Sequence, residues 1–461
     1  MDAIRRLIGR FFPPGAILLA ILTFAGYLMG LVRDRAFART FGAGPELDAY
    51  GAALALPEIV VNILVMAGLG AAFVPLFARL RQDDADAADR FSRTILTLSA
   101  IVAAIACAVL FVLAPQTADL VVPTYTGAQR EQYIELFRLM CVTSVAFAVS
   151  FALGEMLVAR QRFLSYGAAP LLYNTGIVVG TLLLGPRMGI AGAAVGTVIG
   201  SLLHLGVRVG GVLRTDASLR PLLLVRTLAV REYLRLSLPR MIAEPIESIT
   251  FAWFIRVASG IAAGGVSAVS FARNFQSVPV SLVGVAFSVA AFPVLAAAVA
   301  SGDRARFVRT VGVNTLTIGA LTTVAGVLLL VLGERIVGIF LGGDAFDDAD
   351  VALTGAILGA FALSVPLEAL THLLARAVYA TRNTLLPVLA SLAGLAVTVV
   401  TVELLKDGQG LVALPLSFAA GQGVKVLLLG LALLVRIRRF EAGDLDRLDG
   451  VSALEATAPT G

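Results

Sequence analysis

The sequence predicts an all-α polytopic membrane protein of about 12 transmembrane helices, arranged as two parallel six-helix halves. Three observations predict it. The 461 residues are 58% hydrophobic and 15% charged, with a mean hydropathy of +0.91, too apolar for a water-soluble chain. Apolar runs of about 18 residues or more, each enough to cross a hydrocarbon core of about 30 Å, recur along the whole length. Arginines gather at every second connection between those runs.

Taken in order, the first six helices are expected near 15–41, 47–79, 93–114, 132–158, 166–185 and 189–213, and the second six near 231–257, 263–300, 307–333, 351–379, 384–405 and 410–435. The opening MDAIRRLIGRFFPPG is basic, but the apolar run after Pro14 lacks a small-residue cleavage site, so it reads as a retained first helix. With the N-terminus inside, the inner connections collect Arg79, Arg81 and Arg90, then Arg160 and Arg162, then Arg214, Arg220 and Arg226, and onward to Arg436, Arg438 and Arg439. One outer connection carries Asp344, Asp347, Asp348 and Asp350. Both termini are therefore expected in the cytoplasm. The domain reading is an N-terminal six-helix half over 1–225, a C-terminal half over 226–440 and a polar cytoplasmic tail over 441–461. An internal repeat supports the division. Pro75 and Pro293 stand 218 positions apart, and Pro170 and Pro387 stand 217 apart.

The formal charge is +5 with a pI near 9.5, yet the cations sit at span ends without interleaved aromatics, which speaks against nucleic-acid binding. Cys107 and Cys141 are isolated in apolar runs and fit neither a zinc site nor a disulfide framework. No phosphate-cradling loop, nucleophile elbow or HExxH motif occurs, so neither an enzyme nor a cofactor is expected.

The stretch that organises the chain is Leu28 to Leu80, two spans joined by a charged segment. Arg33 and Asp34 close the first span, Asp48 opens the second, and Glu58 lies about 10 residues into it, where an unpaired ion is costly. Within it, Arg33, Asp34, Ala38, Phe41, Gly42, Ala43, Gly44, Asp48, Ala49 and Tyr50, followed by Ala71-Ala72-Phe73-Val74-Pro75, keep one register. This pattern resembles the opening of the MurJ/MviN proteins, the lipid II flippases of the MOP transporter superfamily. Arg162, Phe163, Ala169, Pro170 and Asn174, the run from Phe271, and Tyr379, Ala380, Thr384 and Pro387 extend the resemblance through both halves.

The resemblance implies a MOP-type fold in the bacterial cytoplasmic membrane and alternating-access transport of undecaprenyl-pyrophosphate-linked peptidoglycan precursor. The partners expected are the lipid-linked substrate, membrane lipids and a monovalent coupling ion, with the chain acting as a monomer. Several of the family's charged positions are changed here, to Gly26-Tyr27, Val61-Asn62, Met66, Asn274 and Ser277. Two alternatives stay open: a MOP-type exporter of another lipid-linked unit or an amphipathic drug, and a non-transporting scaffold in envelope assembly.

The substrate-cavity candidates are Arg33, Asp34, Asp48, Glu58, Arg273 and Asn274, because guanidinium groups suit a diphosphate. The ion-coupling candidates are Arg240, Glu244 and Glu247, at i, i+4 and i+7 on one helix face, and Glu368 and His372, which share a face with Arg376. Adjacent residues on a helix point about 100° apart, so Arg33 is expected to pair with Asp48 rather than Asp34 and to close the outer mouth. His204, alone in an apolar run, is expected to be a satisfied buried histidine.

Overall fold

The computed structural model describes residues 14–243 and 245–441, and all regular structure there is helical. Helix α1 (Pro14–Phe41) stops at Gly42, whose φ of +65° turns the chain. Pro45 opens α2 (Pro45–Val61), which passes through a π-helical turn at Asn62–Met66 into α3 (Ala67–Asp83). Then come α4 (Ala85–Val112), a short α5 (Ala114–Val121) that the apolar runs did not announce, and α6 (Gly127–Ala159). Helix α7 (Phe163–Val179) continues through a π-helical turn at Gly180–Leu184 into α8 (Gly185–Met188), and α9 (Ile190–Val212) follows.

Beyond a connection without regular structure lie α10 (Leu228–Ala243) and α11 (Pro245–Ile261). Helix α12 (Gly265–Pro279) runs through a π-helical turn at Val280–Val285 into α13 (Ala286–Ala300). The long α14 (Arg304–Leu341) is followed by α15 (Asp348–Ala362) and α16 (Ser364–Ala380), bent by 41° at their junction. Helices α17 (Leu385–Gln409) and α18 (Ala413–Glu441) end the described chain.

Eight helical stretches, or nine counting the bent α15–α16 pair, are long and apolar enough to cross a membrane among the described residues. One of them, Leu385–Arg438, holds both α17 and α18, which lie side by side: a Cβ on Gly394 would meet Lys425 Cγ at 2.7 Å, and one on Gly421 would meet Thr398 Oγ1. The predicted basic start and the 442–461 tail lie outside the described residues.

The chain forms two compact units. The first runs through Ser267 and takes in Leu341–Asp347; the second holds Ala268–Phe340 and the chain from Asp348 onward. In the first, Phe73 stacks on Phe77 at 6.0 Å and on Phe91 at 5.4 Å, over buried Leu153, Met156 and Leu157. In the second, Leu295, Phe307, Ile318 and Leu373 are fully buried.

Local conformation exposes the repeat. The π-helical turns of α2–α3 and α12–α13 begin at Asn62 and Val280, 218 positions apart, and Pro75 and Pro293 each lie 13 residues beyond. Gln161 (φ +58°) and Arg382 (φ +60°), the two non-glycine residues with left-handed backbone among the described residues, are 221 apart, as are Gly189 (φ +58°) and Gly410 (φ +55°). The Pro170/Pro387 pairing is corrected by this register. Pro170 follows its left-handed residue by nine positions and Pro387 by five, so the two differ by about one helical turn.

Candidate functional site

The first unit gathers the hairpin charges around the C-terminal half of α1. Arg33 Nη2 and Nε donate to Asp34 Oδ1 at 2.8 and 3.0 Å, and Nη1 donates to Asn174 Oδ1 of α7 at 3.2 Å. The expected Arg33–Asp48 pair does not form. The 100° step between neighbouring Cα atoms does not separate these two side chains, because the guanidinium stands several bonds from its Cα and folds back onto the adjacent carboxylate. The Arg33 side chain keeps 25% of its surface exposed and that of Asp34 only 4%, so the pair leaves one cationic face open. Glu58 of α2 is exposed.

Asp48 has a different task. It is 1% exposed, and its Oδ1 accepts from Ser267 N at 2.7 Å and Ser267 Oγ at 2.6 Å. Ser267 stands in the first turn of α12, so Asp48, reaching from α2, satisfies the orphan donors of another helix's start. Just before it, Gly264 (φ +80°) packs so tightly that a Cβ there would strike the carbonyl oxygen of Ala43. The other polar tie in this region joins Tyr50 Oη and Thr197 Oγ1 at 2.7 Å.

The second unit brings together two residues that the sequence assigned to separate roles. Arg273 Nη2 and Nη1 meet Glu368 Oε1 and Oε2 at 2.8 and 3.1 Å, a bidentate pair with Glu368 4% exposed. Gln276, fully buried, accepts from Arg273 and donates through Nε2 to Glu368 Oε2 (2.9 Å) and Ser364 Oγ (3.1 Å). The Arg273 guanidinium also lies 5.3 Å from the centre of the Phe418 ring. Asn274 is half-buried and its carbonyl accepts from Ser277 Oγ at 2.8 Å. His372 is half-buried on α16, with its carbonyl 3.4 Å from Arg376 Nη1.

The remaining trio is only partly in view. Glu247 is exposed in the first turn of α11, the Arg240 side chain lies outside the described residues, and so does Glu244. Sequence reasoning missed Gln276, although its place three residues after Arg273 put it on the same helix face. It also missed Ser267, which carries no signal until the fold sets it against Asp48. His204 is buried as expected, its Nδ1 2.8 Å from Ser150 Oγ.

Comparison with known proteins decides the family. A family model described as "Lipid II flippase MurJ" matches residues 37–446. The chain belongs to the MurJ family. Among its MurJ relatives, the "Lipid II flippase MurJ" of Burkholderia cenocepacia is 23% identical over 431 residues, 90% of this chain and 83% of that one. The "Probable lipid II flippase MurJ" of Thermotoga maritima is 26% identical over 383 residues, covering 82% and 76%. A solved MurJ structure in an inward closed conformation matches with TM-score 0.77 and 22% identity over 96% of this chain and 94% of that one. An inward-facing MATE multidrug transporter of the MOP superfamily matches with TM-score 0.75 and 16% identity over 92% and 99%. These two establish the fold, a polytopic all-α architecture shared by MurJ and MATE proteins.

Proposed function

We propose that this MurJ-family chain flips lipid II, an undecaprenyl-pyrophosphate-linked peptidoglycan precursor, across the bacterial cytoplasmic membrane by alternating access. The family match over residues 37–446 carries the reading. The chemistry is that of cations replacing water around a diphosphate while the polyprenyl tail stays in lipid. In this scheme Arg33 of the first unit offers its open face to a phosphate and Asn174 and Asp34 orient it; Arg273 and Asn274 are the substrate-cavity candidates of the second unit.

The six-helix halves 1–225 and 226–440 are the moving bodies, both termini face the cytoplasm, the chain works as a monomer, and a monovalent ion or the membrane potential drives the cycle. Val61-Asn62 and Met66, uncharged in the second predicted span, favour a second reading in which another lipid-linked saccharide is the cargo.

The test is complementation of a bacterium depleted of its own MurJ. The wild-type chain should sustain growth and Arg33→Ala should not. If the wild-type chain is inserted at normal level and fails to rescue, lipid II is not the cargo, and rescue of a strain lacking a flippase for a different lipid-linked saccharide would then establish the second reading.

A further inference from the structure

Arg208 of α9 is 3% exposed, deep in an apolar unit, and forms no ion pair among the described residues. Its seat is built for it. A Cβ on Gly154 would lie 2.6 Å from Arg208 Nη1, so the glycine leaves room for the guanidinium where it stands, and the guanidinium sits over the rings of Tyr166 (4.9 Å) and Phe151 (5.6 Å). Nη1 donates to the carbonyl of Ser150 at 2.9 Å, while Nε is buried with no hydrogen-bond partner. Next to Gly154 on α6, and one turn beyond Phe151 on the same helix face, stands the half-buried Glu155.

We propose that Glu155, set against Arg208, is a proton-binding site of the first unit, and that its loss and uptake of a proton is a step of the transport cycle. An arginine keeps its charge at any physiological pH, so the carboxyl is the group that changes. Ionised, it neutralises Arg208 and can turn to the orphan Nε; protonated, it leaves the guanidinium on its carbonyl and aromatic seat. A carboxylate already balanced by Arg208 offers a metal cation little net attraction, whereas a proton forms an O–H bond with it. The charged and titratable groups around Glu155 are Arg208 on α9, Tyr166 on α7 and Tyr233 on α10, and His204, one turn before Arg208, neighbours the arginine. Further along α6, Arg160 is surrounded by Arg81 of α3, Asp89 of α4 and Asp216.

The transport role rests on the proposed flippase activity; the proton site does not. The first test uses the full-length protein in detergent and follows unfolding temperature from acidic to neutral pH. The difference between wild type and Glu155→Gln should change with pH. Arg208→Gln should move that step to higher pH, because removing a cation makes a carboxyl hold its proton more tightly, and Arg208→Lys should restore its position. The second test uses proteoliposomes carrying a fluorescent undecaprenyl-pyrophosphate saccharide: an imposed pH gradient should alter wild-type flipping and leave E155Q flipping unaltered. A pH-independent difference in unfolding temperature overturns the proposal, as does loss of the step in His204→Gln with its retention in E155Q. If the wild type flips nothing while the step still depends on Glu155, the cargo assignment fails and the proton site stands.

Discussion

Arg273 and Glu368 show how a single buried contact can be costly to break and yet add little net stability. Removing either partner leaves a charge in an apolar unit, so Glu368→Ala should lower stability by about 3 to 5 kcal/mol, whereas replacing both with methionine should be nearly neutral. If the pair serves transport, the double variant will fold and fail to complement; unfolding temperature and rescue, measured on the same preparations, separate the two effects. A Glu368→Ala protein as stable as wild type would show that water reaches the pair. At this scale the sequence told where charge lies but not whom it meets. Arg33, Asp34, Asp48, Arg273 and Glu368 were all legible as anomalies in apolar runs. Their partners were not, because a guanidinium reaches several ångströms from its Cα and its choice depends on helices 141 positions away for Asn174 and 95 for Glu368.

Packing of helix on helix rests on glycine where backbones nearly touch. Gly176 and Gly180 of the α7 rod face Gly196 and Gly200 of α9, and a Cβ on Gly196 would come within 2.7 Å of the Gly176 carbonyl oxygen and the Gly180 Cα. Gly196→Ala should therefore cost about 1 to 3 kcal/mol by overpacking, while Gly206→Ala on the same helix, with nothing within 4 Å of its Cβ position, should gain roughly 0.5 to 1 kcal/mol. Thermal unfolding of the two variants decides, and equal shifts would refute the close crossing. The connection between α9 and α10 is held differently, as a strap. Asp216 pairs with Arg81 at 2.8 Å and with Arg160 at 3.4 Å, Ser218 N donates to Asp89, and Leu222 N donates to Thr97 Oγ1. Partial burial pushes the Asp216 carboxyl up, but Arg81 and Arg160 outweigh it and hold the group below the ordinary carboxylate range. A depressed folded value means the tie is fully present above the ordinary carboxylate pKa and is lost as pH falls through the folded one. A nitroxide on Leu223→Cys should thus become more mobile only in acid, and should be mobile already at neutral pH when Asp216→Asn is added. An immobile label in that variant would show that the backbone ties suffice.

Across the whole molecule, apolar run length and arginine placement were enough to read an all-helical polytopic membrane chain, of which eight or nine stretches among the described residues are long and apolar enough to cross a bilayer, since both signals follow from the bilayer and not from tertiary detail. The π-helical turns, the short α5 and the 221-residue register of the second repeat pair were hidden. The register rests on left-handed backbone at Gln161 and Arg382, which composition does not mark. The same arginines make the last prediction. Under the proposed topology the turns at 84, 160–162, 213–227, 301–303 and 381–384 face the cytoplasm, and those at 42–44, 189, 262–264 and 342–347 face out. The first set and the helix ends beside it carry Arg79, Arg81, Arg160, Arg162, Arg214, Arg220, Arg304 and Arg382, and the last of the second set carries Asp344 and Asp347. Moving the arginine-rich turns outward would work against the bias that orients short loops, so one orientation should dominate. The native thiols are buried, Cys107 and Cys141 each 2% exposed, and give a silent background. A membrane-impermeant maleimide should therefore label Asp344→Cys in intact cells and label Arg220→Cys only after the inner face is opened. Labelling of Arg220→Cys in intact cells, with Asp344→Cys protected, would invert the protein in the membrane and with it every assignment of inner and outer turns.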